Sequence, residues 1–322
     1  MRIILVGAVE STSAALTALM EEGQAPLALV TLPLSKAGRH SDFVDLRPYA
    51  QHAGVPVIET ADVNDSETLA HVRKLSPDFI LIIGWSQICR REFLHLPKHG
   101  CLGYHPALLP KNRGRAVVPW TILQGLKRAG GSLFWLAEGL DSGDLLLQRS
   151  FPVASDETAR TLYDKHLQLL PVMLRAALRM LLSGNLRRRK QNESKASFCA
   201  RRTAQDGWIG WAQPALQVWT LIRAVGKPYP GAFTLDGRRK LTVWTAELAL
   251  RRPFWGMPGQ IQEISASGVL VQCGDREHVL LKTVQFENQP EQPASEAGLK
   301  IHSHLGAGSI PSFERDIQRQ IA

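Results

Sequence analysis

The chain is 322 residues long, with 44% hydrophobic and 21% charged residues. At about 100–200 residues per domain this length calls for two packed domains, and the composition excludes a disordered, collagenous or repeat-built protein. Lys and Arg number 38 against 29 Asp and Glu, a formal charge of +9; that draws phosphorylated metabolites or polyanions by long-range attraction, but it is spread over both halves and does not mark a nucleic-acid module.

The N-terminal run RIILVGA at 2–8 is short, β-branched and ends in glycine, so it reads as a first strand and not as a signal peptide. An apolar-periodic segment, 13–22, follows as a helix. The pattern then repeats: a strand at 27–32, a polar loop, a helix at 44–53, a strand at 55–60, a helix at 64–75 and the apolar strand FILIIGW at 79–85. Strands without polar alternation, separated by helices, make a doubly wound parallel sheet buried on both faces. A long helix from Glu157 to Ser183, containing Pro171, closes this domain. Its most apolar stretch, Leu167 to Leu182, carries Arg175 and Arg179, so no transmembrane helix and no membrane partner are expected. The run Arg187-Arg188-Arg189-Lys190 reads as a solvated face between domains. Beyond about 200 the texture changes to short strands, with Asp236-Gly237 as a hairpin turn, which predicts a small β-barrel. The expected domains are residues 1–190 and 200–290, with 291–322 as a tail of little pattern and partial mobility.

Cys89, Cys101, Cys199 and Cys273 are too far apart for a metal-ligand or disulfide framework, so a cytoplasmic chain with buried thiols is expected. His40, His99 and His166 are equally scattered, and no metal is expected. Gly7-Ala8-Val9-Glu10 does not complete a dinucleotide fingerprint.

The densest group of reactive residues is GCLGYHPALLPKNRGR, 100–115. His105 follows a short strand and is held on a loop stiffened by Pro106 and Pro110, which presents it as a proton acceptor or leaves it a loop histidine without a role. About thirty residues on, the glycine-punctuated turn LDSGD carries Asp141, either a carboxylate that orients the imidazole or a turn residue bonded to its own backbone. Arg113 and Arg115 stand next to the loop as guanidinium forks whose geometry matches phosphate oxygens, with a loop-stabilising role as the other reading of Arg113.

HPALLPKNRG resembles the H-x-S-L-L-P-x-x-R-G signature of the folate-dependent formyltransferases, and LDSGD resembles their aspartate loop. The resemblance extends from MRIILVG through SPDFILIIGWSQI to DGWIGW and KPYPGAF. It implies a Rossmann-like first domain, a C-terminal barrel resembling an OB-fold and 10-formyltetrahydrofolate as donor. By position it makes His105 and Asp141 the catalytic pair and lines the pterin pocket with Trp85, Ser86, Gln87, Ile88, Cys89, Leu136, Gly139 and Leu140. The family motif is Asn-x-His, whereas this chain has Gly103-Tyr104-His105. The asparagine that polarises the formyl oxygen is therefore missing, leaving protonated His105, an exposed backbone N–H or Asn112 as candidate substitutes, or else a non-catalytic homologue. The 33–47 loop is short and weakly basic, which favours a small amine acceptor, an amino-sugar nucleotide, over methionyl-tRNA.

Overall fold

The computed structural model describes residues 1–306 apart from Arg251. They divide into two units, Met1–Arg202 and a second from Thr203 onward. In the first strand, β1 (Ile3–Val6), successive side chains enter opposite cores, and each is fully buried. Ile3 and Leu5 meet one apolar cluster, Ile4 and Val6 the other. A strand that must be apolar on both faces cannot alternate, which is why its sequence does not.

The first unit continues with α1 (Glu10–Glu21), β2 (Ala28–Thr31), α2 (Arg47–His52), β3 (Val57–Glu59), α3 (Ser66–Lys74), β4 (Phe79–Ile82), α4 (Arg91–Leu94), β5 (Gly100–His105), β6 (Arg113–Gly114), α5 (Val117–Leu123), β7 (Arg128–Trp135), β8 (Leu145–Pro152), α6 (Ala159–Leu182) and β9 (Phe198–Cys199). Its main sheet has the order β3-β2-β1-β4-β5-β7-β8. The first five strands are parallel, the doubly wound part; β7 and β8 are added antiparallel at the edge. The long helix α6 starts at Thr158, whose hydroxyl accepts the Thr161 N–H, an N-cap. It buries Leu162, His166, Leu170, Leu174, Ala177 and Leu181 at helical spacing against α1 and the sheet. Each fully buried leucine there contributes about 1.5–3 kcal/mol.

After α6 the chain does not leave the first unit but crosses back over it. Two of the arginines read as a solvated run are engaged here. The Arg188 guanidinium lies 3.9 Å over the Trp135 ring, and Arg189 exchanges both main-chain hydrogen bonds with Leu145.

The second unit holds α7 (Ala215–Val225), β10 (Ala232–Asp236), β11 (Arg239–Ala249), β12 (Ile261–Ser265), β13 (Gly268–Gln272), β14 (His278–Phe286) and β15 (Gln292–Pro293). The strands form an antiparallel sheet, β10-β11-β14-β13-β12, with β15 on β14. The strand pattern does not disclose α7, which lies between Pro214 and Gly226 and packs on β11 and β14. The stretch from 291, read as a patternless tail, is built into this unit as far as it is described. The Leu305 N–H donates to Gly259 and the Gly306 N–H to Leu235, so the segment ties the β12 edge to the β10 edge and curls the sheet toward closure. Residues 307–322 lie outside the described residues. No described helix is long and apolar enough to cross a membrane.

Candidate active site

His105 closes β5 at the carboxyl ends of the parallel strands, where open α/β sheets bind ligands. It is 5% exposed. Nε2 lies 2.7 Å from the Asn112 carbonyl, and because a carbonyl only accepts, that nitrogen carries the proton in the neutral ring. Nδ1 is then the basic nitrogen, 3.6 Å from Asp141 Oδ2. The same carboxylate oxygen accepts the Gly114 N–H at 2.8 Å. A proton arriving at Nδ1 therefore meets an anion, and the resulting imidazolium faces an oxygen at each ring nitrogen. Asp141 and Asn112 both have left-handed backbones, φ 47° and 57°, which Asp and Asn tolerate better than other side chains. Asp141 is thus both a turn residue and the partner of His105.

The loop between His105 and Gly114 is fixed from below by Ser132, which is wholly buried. Its hydroxyl donates to the Ala107 carbonyl at 2.6 Å and accepts the Leu109 N–H at 3.1 Å. A side chain at 107 is not needed to hold the loop, consistent with alanine there in place of the motif serine.

Several expected ligand contacts are corrected. The Asn112 amide is already engaged: Nδ2 reaches Gln124 at 3.4 Å and Oδ1 accepts from Ser197 at 3.3 Å. Its contribution at His105 is the main-chain carbonyl, not an amide donor. Arg113 is 2% exposed and forks onto Glu193 at 2.6 and 2.8 Å and onto Gln191 Oε1, so its donors are used internally and do not face a diphosphate. Cys89 is buried in the core cluster with Phe93, and burial pushes its thiol up to about 12.

The remaining expected residues stand on two loops, 84–89 after β4 and 136–140 after β7, whose last residue Trp135 lies opposite Leu102 of β5. Trp85 and Leu136 both pack against the apolar cluster that contains Ile80, Ile82 and Cys101. Trp85 Nε1 and Gln87 Oε1 are buried without a hydrogen-bond partner. Ile88 and Leu140 are 76% and 56% exposed, apolar side chains on the outside of these loops. Gly139 makes the turn with Ser142, whose N–H donates to its carbonyl. Arg115 is exposed and donates to the Ser86 carbonyl. Ser86 Oγ lies 3.2 Å from His40 Nε2, a residue with no sequence signal of its own. Burial holds His40 below the ordinary histidine range, Asp42 opposes this, and the cations Arg115 and Arg39 add to it. At Gly103 a β-carbon would come within 2.7 Å of Leu136 Cδ1 and 3.1 Å of Phe134 Cε1, so an apolar surface occupies the space a side chain would need. Among the described residues, no three His, Cys, Asp or Glu side chains gather as a metal site.

Residues 1–178 match the family model of the formyl transferases and residues 201–299 that of their C-terminal domain. The methionyl-tRNA formyltransferase of Geobacter sulfurreducens is 32% identical over 318 residues, 98% of this chain and 99% of that protein. That of Caldanaerobacter subterraneus is 34% identical over 288 residues, 88% and 92% of the two chains. Among solved structures, an N-formyltransferase of Helicobacter canadensis in complex with folinic acid and dTDP-3-aminofucose superposes with a TM-score of 0.67 at 18% identity, covering 89% of this chain and all (100%) of that one. HypX of Aquifex aeolicus in complex with tetrahydrofolic acid superposes with a TM-score of 0.66 at 17% identity over 94% of this chain, which spans about half (48%) of HypX. At such identities these structures establish the shared fold.

Proposed function

Since the chain belongs to the formyl transferase family, we propose that this folate-dependent formyltransferase acts on the primary amine of a small acceptor, an amino-sugar nucleotide. 10-Formyltetrahydrofolate supplies the formyl carbon that the amine attacks and the nitrogen that leaves. His105 Nδ1 takes the proton the amine sheds on addition and returns it to the folate nitrogen as the carbon–nitrogen bond to the donor breaks. Asp141 balances the imidazolium once it forms, and the Asn112 carbonyl holds the ring and keeps the base on Nδ1 by fixing the other proton on Nε2. With glycine at 103, the charge on the formyl oxygen is met by the positive charge of the imidazolium formed in the same step. The folate ring lies between the 84–89 and 136–140 loops. Two observations support this: the unpartnered polar atoms of Trp85 and Gln87, which a heterocycle edge satisfies, and the exposed Ile88 and Leu140, which its flat face covers. Ser86 and Gly139 shape the two loops around it.

The observation that carries the acceptor is the loop after β2. From Leu34 to Arg47 it holds Lys36, Arg39 and Arg47 against Asp42 and Asp45, close to neutral, and it is folded back onto the unit. The Asp42 carboxylate accepts from Tyr163 at 2.6 Å and its carbonyl from the Glu10 N–H at 3.3 Å, while Arg39 donates to the Ala61 carbonyl at 2.6 Å. Such a loop presents no row of cations to a polyphosphate backbone. Arg115, exposed beside Ser86 and His40, matches one diphosphate. The second reading is methionyl-tRNA, favoured by 32–34% identity to methionyl-tRNA formyltransferases over most of the chain. The test offers 10-formyltetrahydrofolate with a panel of amino-sugar nucleotides and, separately, with charged initiator methionyl-tRNA, and reads the formylated product by mass. Formylation of a sugar nucleotide is expected; efficient formylation of the tRNA with no turnover of any amino sugar puts the second reading in place.

A further inference from the structure

The segment that joins α6 to the second unit is tied to both halves of the His105–Asp141 pair. On the aspartate side, Gln191 Nε2 donates to the carbonyls of Asp141 and Gly143 at 2.8 and 2.7 Å, the two ends of the turn that presents the carboxylate. The amide cannot be reversed, because Oε1 accepts from Arg113 Nη2 at 2.8 Å. On the histidine side, Ser197 Oγ accepts the Asn112 N–H at 2.9 Å, which holds the residue whose carbonyl fixes His105 Nε2. Between them β6 pairs with β9. Gly114 permits that approach: its φ is 105°, and a β-carbon there would stand 2.5 Å from the Cys199 carbonyl oxygen. The Gly114 N–H is the one that reaches Asp141.

We propose that Gln191 is a positioning residue for formyl transfer, and that the connector it stands on is part of the active site. The inference rests on the assignment of His105 and Asp141 as the working pair. Asp141 has no direct hydrogen bond to His105 in this structure, and its left-handed backbone, φ 47°, is a conformation that L side chains adopt at a cost. The turn keeps that conformation because both of its carbonyls end on one amide nitrogen. Remove the donor and the turn can relax to negative φ, which swings the carboxylate away from Nδ1. A misplacement of about 1 Å in such a pair costs up to about a hundredfold in rate. Arg113, 2% exposed, clamps Gln191 and Glu193 in the same constellation, which explains why a motif arginine is turned inward.

The experiment compares full-length Gln191→Met, which keeps length and packing without the donor, and Gln191→Glu, which replaces the donor with an acceptor, against the parent, Asp141→Asn and His105→Ala. Two readouts are taken: kcat and KM for 10-formyltetrahydrofolate with whichever panel acceptor turns over, and the 15N signals of the His105 ring at fixed pH. Both Gln191 variants are expected to lower kcat at least about tenfold with KM for the donor within about twofold, and to move the His105 signals in the direction seen in Asp141→Asn. Unmoved His105 signals overturn the proposal, as does parental kcat, and the ring signals decide it even where no acceptor turns over. Full activity in Asp141→Asn or His105→Ala is a separate outcome that removes the assignment of the pair itself.

Discussion

At Gly103 the absence of a side chain has shaped its neighbours. Leu136 and Phe134 close over the strand there, packed with Leu109 and Leu145, so the place of the family asparagine is apolar surface. Restoring the amide by Gly103→Asn forces the Leu136 methyl aside and puts a polar group against that surface. The expected result is a protein destabilised by about 1–3 kcal/mol whose turnover rises no more than a fewfold, checked by thermal unfolding and by kcat with the panel acceptor. A stable variant with a hundredfold gain would show that the natural site lacks a donor it needs. Much at this scale is visible in the sequence: HPALLPKNRG and LDSGD point to His105 and Asp141, which the fold brings within 3.6 Å of each other. What is not visible is which way a side chain turns. Arg113 has the chemistry of a phosphate ligand, but its partner Glu193 lies 80 residues away, and no spacing rule reaches that far. Asn112 matters through its carbonyl, an atom every residue has.

Among the elements, β5 and α6 are joined by a buried polar contact directly behind the site. Tyr104 faces away from His105 along the strand and lies 2.8 Å from His166 Nδ1 on α6, while His166 Nε2 has no partner. Burial, with a smaller repulsion from His105, lowers the His166 pKa to about 3. In the unfolded chain the ring takes a proton below its ordinary 6.5; in the folded chain it stays neutral. Stability from this group is therefore whole above pH 6.5 and is lost as pH falls from 6.5 toward 3, at about 1.4 kcal/mol per unit, or about 2 kcal/mol at pH 5. His278, buried in the second unit and also lowered by burial, acts in the same direction. Urea unfolding of the parent and of His166→Phe at pH 7.5 and 5 should show the variant losing less stability on acidification by about that amount, whatever its absolute stability. Equal losses would show that His166 is protonated in the fold. Elements such as these were legible where burial writes a pattern: the unalternating strands of the parallel sheet and the hairpin at Asp236-Gly237. The closing segment 303–306 was not, because its role consists of main-chain hydrogen bonds to Gly259 and Leu235, which impose no residue type.

For the whole molecule, the formal charge of +9 is consistent with an anionic acceptor of either size, and the difference between the two lies in how many phosphates must be neutralised at once. Binding that releases counterions from six to ten phosphates loses about 10³–10⁵ in affinity between 50 and 200 mM salt. A diphosphate engages one or two cations. Arg113 is committed to Glu193 and Gln191 and the 34–47 loop is nearly neutral, so the proposed acceptor site rests on Arg115, a cation beside Ser86 and His40. The acceptor KM is therefore expected to rise only a fewfold between 50 and 200 mM KCl, and Arg115→Ala to raise it about tenfold while flattening what salt dependence there is. His105→Ala, by contrast, should lower kcat and leave the salt response as it was, because in the proposed reaction the imidazole meets the reacting nitrogen and not the phosphates. A KM that climbs by orders of magnitude over that salt range, unaffected by Arg115→Ala, would mean that a long polyanion is held across many surface cations, and the small-acceptor reading would fall with it.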